Sequence, residues 1–97
     1  MNEVVLTEPF KRWFSAVRDV KARKIIAGRL ARAELGLFGD VSPVGAGVSE
    51  LRIDFGPGYR LYFIRRNGQV IVMLGGGDKD SQARDIPRAI ALAAELE

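Results

Sequence analysis

Residues 50–80 read ELRIDFGPGYRLYFIRRNGQVIVMLGGGDKD, and the fold turns on this stretch. Three runs rich in β-branched, aromatic and aliphatic residues occupy Ser49–Phe55, Tyr59–Arg66 and Gln69–Gly75. Between the second and third, Asn67-Gly68 accepts positive φ at both central positions of a tight hairpin turn. Between the first and second, Pro57 sets φ for one turn residue and Gly58 accepts the left-handed position after it. The stretch is therefore expected to form a three-stranded antiparallel meander.

Alternation of side chains sets the expected register. A two-residue Asn-Gly turn pairs Arg66 with Gln69. It places Phe63 across from Val72, Tyr62 from Met73, Leu61 from Leu74 and Arg60 from Gly75. A three-residue Gly-Pro-Gly loop pairs Ile53 with Leu61 and Leu51 with Phe63. The core face is then Leu51, Ile53, Leu61, Phe63, Val72 and Leu74. The opposite face carries Arg52, Asp54, Arg60, Tyr62, Ile64, Ile71 and Met73, with Arg60 opposite a glycine that leaves space above it.

Working outward, Asn2–Leu6 reads as a short strand. Thr7 and Pro9 open a first helix over Glu8–Arg18, with Phe10, Trp13, Phe14 and Val17 at core spacing. Asp19 caps a second helix over Val20–Leu35, which Gly36 ends. Ala22, Ile25, Ile26, Leu30 and Ala33 line its apolar side, while Lys21, Lys24, Arg29 and Arg32 are mostly on another. That basic side is either a track for phosphates or a solvated surface. Leu37–Val48, rich in Gly, Pro and Ser, reads as a loop. Ser81–Leu96 reads as a last helix with Ile86, Ala89, Ile90 and Ala93 inward; Pro87 predicts either a kink near Ile86 or a separate first turn. The order strand, helix, helix, three strands, helix defines a single α+β domain over residues 1–97, its meander packed against helices.

The chain has 97 residues, 47% hydrophobic, enough for one small core. It lacks both cysteine and histidine, which excludes disulfides, thiolate or imidazole metal ligands and histidine bases. Glu3 and Glu8 interrupt the opening apolar run, so no signal peptide is expected, and no run reaches membrane-spanning length. The net charge of +3 divides unevenly, residues 1–36 carrying +4 and the remainder −1. Such a basic segment suits an anionic partner, nucleic acid or acidic protein. The run Gly75-Gly76-Gly77 either cradles a phosphate or marks a close approach of neighbouring backbone; Lys79 has no Ser/Thr in the frame a Walker motif needs.

The segments GVSELRIDFGPGYRLYF and GGGDKDSQARDI, with the element order, resemble the RelE/ParE superfamily of bacterial type II toxins. The wording is most similar to the HigB-like "addiction module killer protein" branch, over essentially the whole chain. The resemblance implies a RelE-like fold and a cytoplasmic toxin that cuts messenger RNA on the ribosome, neutralised by a cognate antitoxin. It implies neither membrane nor small-molecule substrate. Arg60 matches the family's phosphate-contacting arginine, and Lys79 and Asp78 best match its active position after the last strand. Unlike several members, the chain has no histidine and no tyrosine at its C-terminal end. Two other readings stay open: a ParE-like gyrase inhibitor, and an antitoxin-binding protein without catalysis.

The residues suit this chemistry. Cleavage by 2′-hydroxyl attack needs a base, an acid and a stabiliser of the charged phosphorane, but no metal or cofactor. Arg60 offers a permanently charged planar fork. Tyr62, on the same face, can stack on a base or donate a proton. Lys79 serves as a base only with a lowered pKa. Arg52 with Lys21, Lys24, Arg29 and Arg32 are the candidates for holding RNA phosphates. Asp54, expected directly across from Arg60, makes an ordinary ion pair the competing reading for that arginine.

Overall fold

A computed structural model describes residues 1–96; Glu97, the last residue of the expected domain, lies outside the described residues. The elements are β1 (Glu3–Leu6), α1 (Glu8–Ala16), α2 (Val20–Glu34), β2 (Val41–Gly45), β3 (Val48–Ile53), β4 (Tyr59–Arg66), β5 (Val70–Gly77) and α3 (Gln82–Glu95). The five strands form one sheet in the order β1-β5-β4-β3-β2, with β1 parallel to β5 and the other pairs antiparallel. The chain is thus a small α+β domain with a mixed sheet.

The helix signals act where the sequence places them. Thr7 Oγ1 accepts from Phe10 N at 3.4 Å and donates to Met73 O at 2.8 Å, so the cap also ties α1 to β5. Asp19 Oδ1 accepts from Lys21 N and Ala22 N. Gly36, at φ 80°, closes α2 in a Schellman motif, with Leu37 N bonded to Arg32 O and Gly36 N to Ala33 O. α1 stops at Ala16, two residues short of the expected Arg18. α3 continues through Pro87 as one helix.

Three expectations need correction. The segment 37–48 is not all loop, because Val41–Gly45 forms β2. Pro43, which argues against a central strand, is tolerated because β2 is an edge of the sheet, with a bulge between Pro43 and Gly45.

The second correction is the register. The Asn-Gly turn forms, with Asn67 and Gly68 at φ 52° and 73° and Gln69 N bonded to Arg66 O. However, Gln69 is left out of the ladder and Arg66 pairs with Val70. This one-residue slip turns Ile71 and Met73 onto the face of Leu61 and Phe63, and Val72 and Leu74 onto the other. A second irregularity, between Tyr62 and Phe63, sets Tyr62 against Gly75, Leu61 against Gly76 and Arg60 against Gly77. The slips move β5 and not β4, so Arg60 keeps its expected face but lies opposite Gly77 rather than Gly75. The first hairpin loop runs through five residues, Asp54–Gly58, so Leu51 pairs with Leu61, Ile53 with Tyr59 and Arg52 with Arg60.

Third, both faces of the sheet are buried. α1 and α2 cover Leu51, Ile53, Leu61, Phe63, Ile71 and Met73. α3 covers Val48, Tyr62, Ile64, Val72 and Leu74 through Ala89 and Ala93. The face read as open around Arg60 is therefore partly roofed. No helix among the described residues is long and apolar enough to cross a membrane.

Candidate functional site

Arg60 sits on β4, on the α3 side of the sheet and directly opposite Arg52. Like charges facing each other across a ladder destabilise it. A carboxylate offsets them, and it belongs to Glu50 rather than Asp54. Glu50 is 3% exposed. Its Oε2 lies 3.9 Å from Arg60 Nε and 3.7 Å from Arg52 Nη1, and its Oε1 accepts from Gln82 Nε2 at 2.7 Å. Asp54 lies exposed in the first hairpin loop, because that loop is longer than expected. Glu50 was findable in part: it shares parity with Arg52 and so faces Arg60. That Gln82 would close over it depends on α3.

Arg52 does not stand free for RNA. Its Nε and Nη2 clasp Asp40 Oδ2 and Oδ1 at 3.1 and 2.7 Å. Those hydrogen bonds hold the Asp40 carboxyl below its ordinary range and raise Arg52 above its own.

Lys79, exposed just beyond β5, comes beside Arg60 over Gly58. A methyl group at Gly58 would lie 3.4 Å from Lys79 Cβ and 3.9 Å from Arg60 Nη1. Arg60, Lys79, Arg52, Asp40 and Asp54 outline a depression of about 370 Å³. With Asp40 clasped by Arg52, the depression presents Arg60 and Lys79 together with the exposed carboxylate of Asp54.

Asp78 and Tyr62 lie elsewhere. Asp78 Oδ1 accepts from Asp80 N and Ser81 N at 2.9 and 3.0 Å, so it shapes the turn into α3. Tyr62 is 1% exposed, which removes its ring from any base at the depression. Burial first, then Glu50 and Asp85, push its phenol up to about 12, a poor acid at neutral pH. Its hydroxyl has no hydrogen-bond partner among the described residues.

The cations of α2 lie on the opposite face of the sheet from Arg60, since α2 packs on Leu61 and Phe63. Lys21, Lys24 and Arg32 are exposed. Arg29 is turned inward: its Nη2 donates to Phe38 O at 3.0 Å and fastens the segment leading to β2. Burial first, then Arg32, lower its pKa, with Asp40 opposing. The glycine run also resolves. A methyl at Gly76 would run into the Trp13 ring, and one at Gly77 into Asp85 and Ser81. These two glycines admit protein side chains, so the phosphate-cradle reading is not what their positions express.

The Tyr62 hydroxyl yields a test. Removing an unpartnered buried hydroxyl is neutral or stabilising by about 1 kcal/mol, so Tyr62→Phe is expected to melt at or above wild type. The raised phenol contributes stability below its unfolded pKa of about 10, and this is lost as pH climbs towards the folded value. Urea unfolding at pH 8 and pH 11 checks this: the phenylalanine variant is expected to lose less stability than wild type.

Fold and site together define a small α+β domain with a depression lined by Arg60 and Lys79 at the end of its meander. No protein-family model matches the sequence. The chain is 42% identical over 94 residues to an uncharacterized protein of Haemophilus influenzae, covering 97% of this chain and 95% of that one. It belongs to the family of that Haemophilus protein.

Proposed function

We propose that this protein is the toxin of a bacterial type II toxin–antitoxin pair, a RelE-like endoribonuclease that cuts ribosome-bound messenger RNA without metal or cofactor. One observation carries the reading: Arg60 and Lys79 line one depression beside Gly58, with Glu50 Oε2 3.9 Å from Arg60 Nε. A guanidinium fork beside a second cation suits a scissile phosphate, on which negative charge builds as the 2′-hydroxyl attacks. The resemblance of GPGYR and GGGDK to the RelE/ParE toxins supports it, as does the element order, to which β2 adds one edge strand. Lys79 supplies charge beside Arg60, while Asp78 and Tyr62 act in the fold. Primer-extension mapping of messenger breaks after a short pulse of expression tests the proposal: breaks within translated codons are expected.

A ParE-like reading, poisoning DNA gyrase without cutting RNA, gains from one observation. Asp78 Oδ1 is engaged in the turn before α3 and Tyr62 is buried, which takes both away from proton transfer at Arg60. Accumulation of gyrase-dependent DNA damage with intact messengers would establish it instead.

The partner is a cytoplasmic antitoxin with an acidic toxin-binding segment, matched to the +4 charge of residues 1–36 or to the Arg60 face. Co-expression with the adjacent small reading frame is expected to restore growth and yield a complex on copurification. Failure of every neighbouring frame to bind would count against the pairing.

A further inference from the structure

A second cavity, about 560 Å³, opens between α1 and α3 beside the last residues of β5. Its size falls within the roughly 300–1,000 Å³ of small-ligand pockets. β1 pairs with β5 only as far as Met73, and beyond it the two helices form the walls. Trp13 stands on one side, Ala89 and Leu92 on the other.

Three features of this cleft lack an explanation within the fold. Tyr62 lines it, 1% exposed, with a buried hydroxyl that meets no partner. Gly75 lines it too. Unlike Gly76 and Gly77, it has nothing within 4 Å of where its side chain would stand, and its backbone does not require glycine. The strand is bare there, and no group among the described residues fills the space. At the rim stand Arg12, Arg84 and Arg88. Arg84 faces Asp85 at 3.7 Å, whereas Arg12 and Arg88 have no ion pair among the described residues.

We propose that this cleft binds one nucleotide, its base lying over Gly75 beside Trp13, a neutral base acceptor on the Tyr62 hydroxyl and its phosphate on the rim arginines. The charge distribution sets that orientation. Asp78 and Asp85 line the inner end, Glu50 lies near the Tyr62 hydroxyl, and Arg60 is the opposing cation. An anion is disfavoured inside and favoured at the rim. The bare strand offers a flat surface and the unpartnered hydroxyl a donor, so the ligand is flat and polar-edged at one end and anionic at the other. The site is separate from the Arg60 depression and stands without the nuclease reading. If that reading holds, it fixes a neighbouring nucleotide of the same RNA.

Trp13 is the only tryptophan of the chain and lines the cleft, so its fluorescence reports occupancy directly. Titration of the full chain with adenosine 5′-monophosphate is expected to give a saturable change. Inorganic phosphate, lacking the base, is expected to bind at least tenfold more weakly. Gly75→Val fills the bare space, suits a strand and is expected to weaken binding at least tenfold with an unchanged melt. Tyr62→Phe provides a second test on a variant expected to fold well, and should weaken binding several-fold. A short oligoribonucleotide that displaces the monophosphate identifies RNA as the source, and one that does not identifies a free nucleotide. No saturable change up to about 10 mM, wild-type affinity in folded Gly75→Val or in Tyr62→Phe, or phosphate binding as tightly as the nucleotide would overturn the proposal. Because fluorescence is read without ribosomes, loss of this site and loss of the nuclease reading are separate outcomes.

Discussion

Arg60→Ala is expected to lose ribosome-dependent cleavage by roughly a hundred- to a thousandfold, the equivalent of about 3–4 kcal/mol of transition-state stabilisation. The variant should still melt cooperatively and bind its antitoxin. The surroundings of Arg60 are why the fold is expected to survive its truncation. The Arg60 side chain is 14% exposed, and its closest charged contact is a single approach of 3.9 Å to Glu50. Its loss leaves Glu50 with Gln82 at 2.7 Å and Arg52 at 3.7 Å, so the buried carboxylate keeps a hydrogen bond and a cation. Arg60→Lys retains the charge without the bidentate fork, and is expected to recover only part of the rate. Lys79→Ala should lower cleavage less, because an exposed ammonium is screened by salt and replaceable by solvent cations. Cleavage rates on programmed ribosomes, set beside melting temperatures, decide the matter. Undiminished cleavage by folded Arg60→Ala would remove Arg60 from the phosphate. Gyrase poisoning by a wild type that cuts no RNA would move the proposal to the ParE-like reading.

Much of the fold was legible because its signals are local. Thr7, Asp19 and Gly36 act within one turn of the helices they bound, and the alternation from Leu51 to Phe63 gave the parity of Arg60 correctly. The errors arose where a single residue decides a long-range relation. Gln69, left over beyond the turn, slips β5 by one position, and the irregularity after Tyr62 slips it again. Neither residue announces this, since each also fits a regular strand. β2 was hidden by Pro43 and its glycines, whose meaning depends on lying at an edge. At the site, parity identified the face but not its cover. Tyr62 and Arg60 are two residues apart on one strand, yet Tyr62 is 1% exposed and the Arg60 side chain 14%, because α3 packs over Tyr62 through Ala89 and Ala93. Arg29 has the same spacing as its basic neighbours, and only the path of the segment before β2 draws it inward to Phe38 O.

The partner of Arg60 bears most directly on stability. Glu50→Ala is expected to destabilise the fold by about 1–3 kcal/mol, the range for leaving a buried polar partner unsatisfied. Two effects combine. Gln82 Nε2 loses the acceptor it meets at 2.7 Å, which loosens the first turns of α3 from the sheet. Arg52 and Arg60, Cα partners on adjacent strands, are then left facing each other with no carboxylate between them. Asp40 moderates this at Arg52 but makes no salt bridge to Arg60. The consequence is a salt signature. Uncompensated like charges are screened by added salt, so the deficit of Glu50→Ala should shrink as ionic strength rises. The double variant Glu50→Ala/Arg60→Ala, freed of the repulsion, should be more stable than Glu50→Ala alone. Urea unfolding of wild type, both single variants and the double variant at low and high salt measures the coupling directly. A coupling energy near zero would mean that the 3.9 Å approach of Glu50 to Arg60 is spatial proximity without energetic weight, and that packing alone holds the arginine in place.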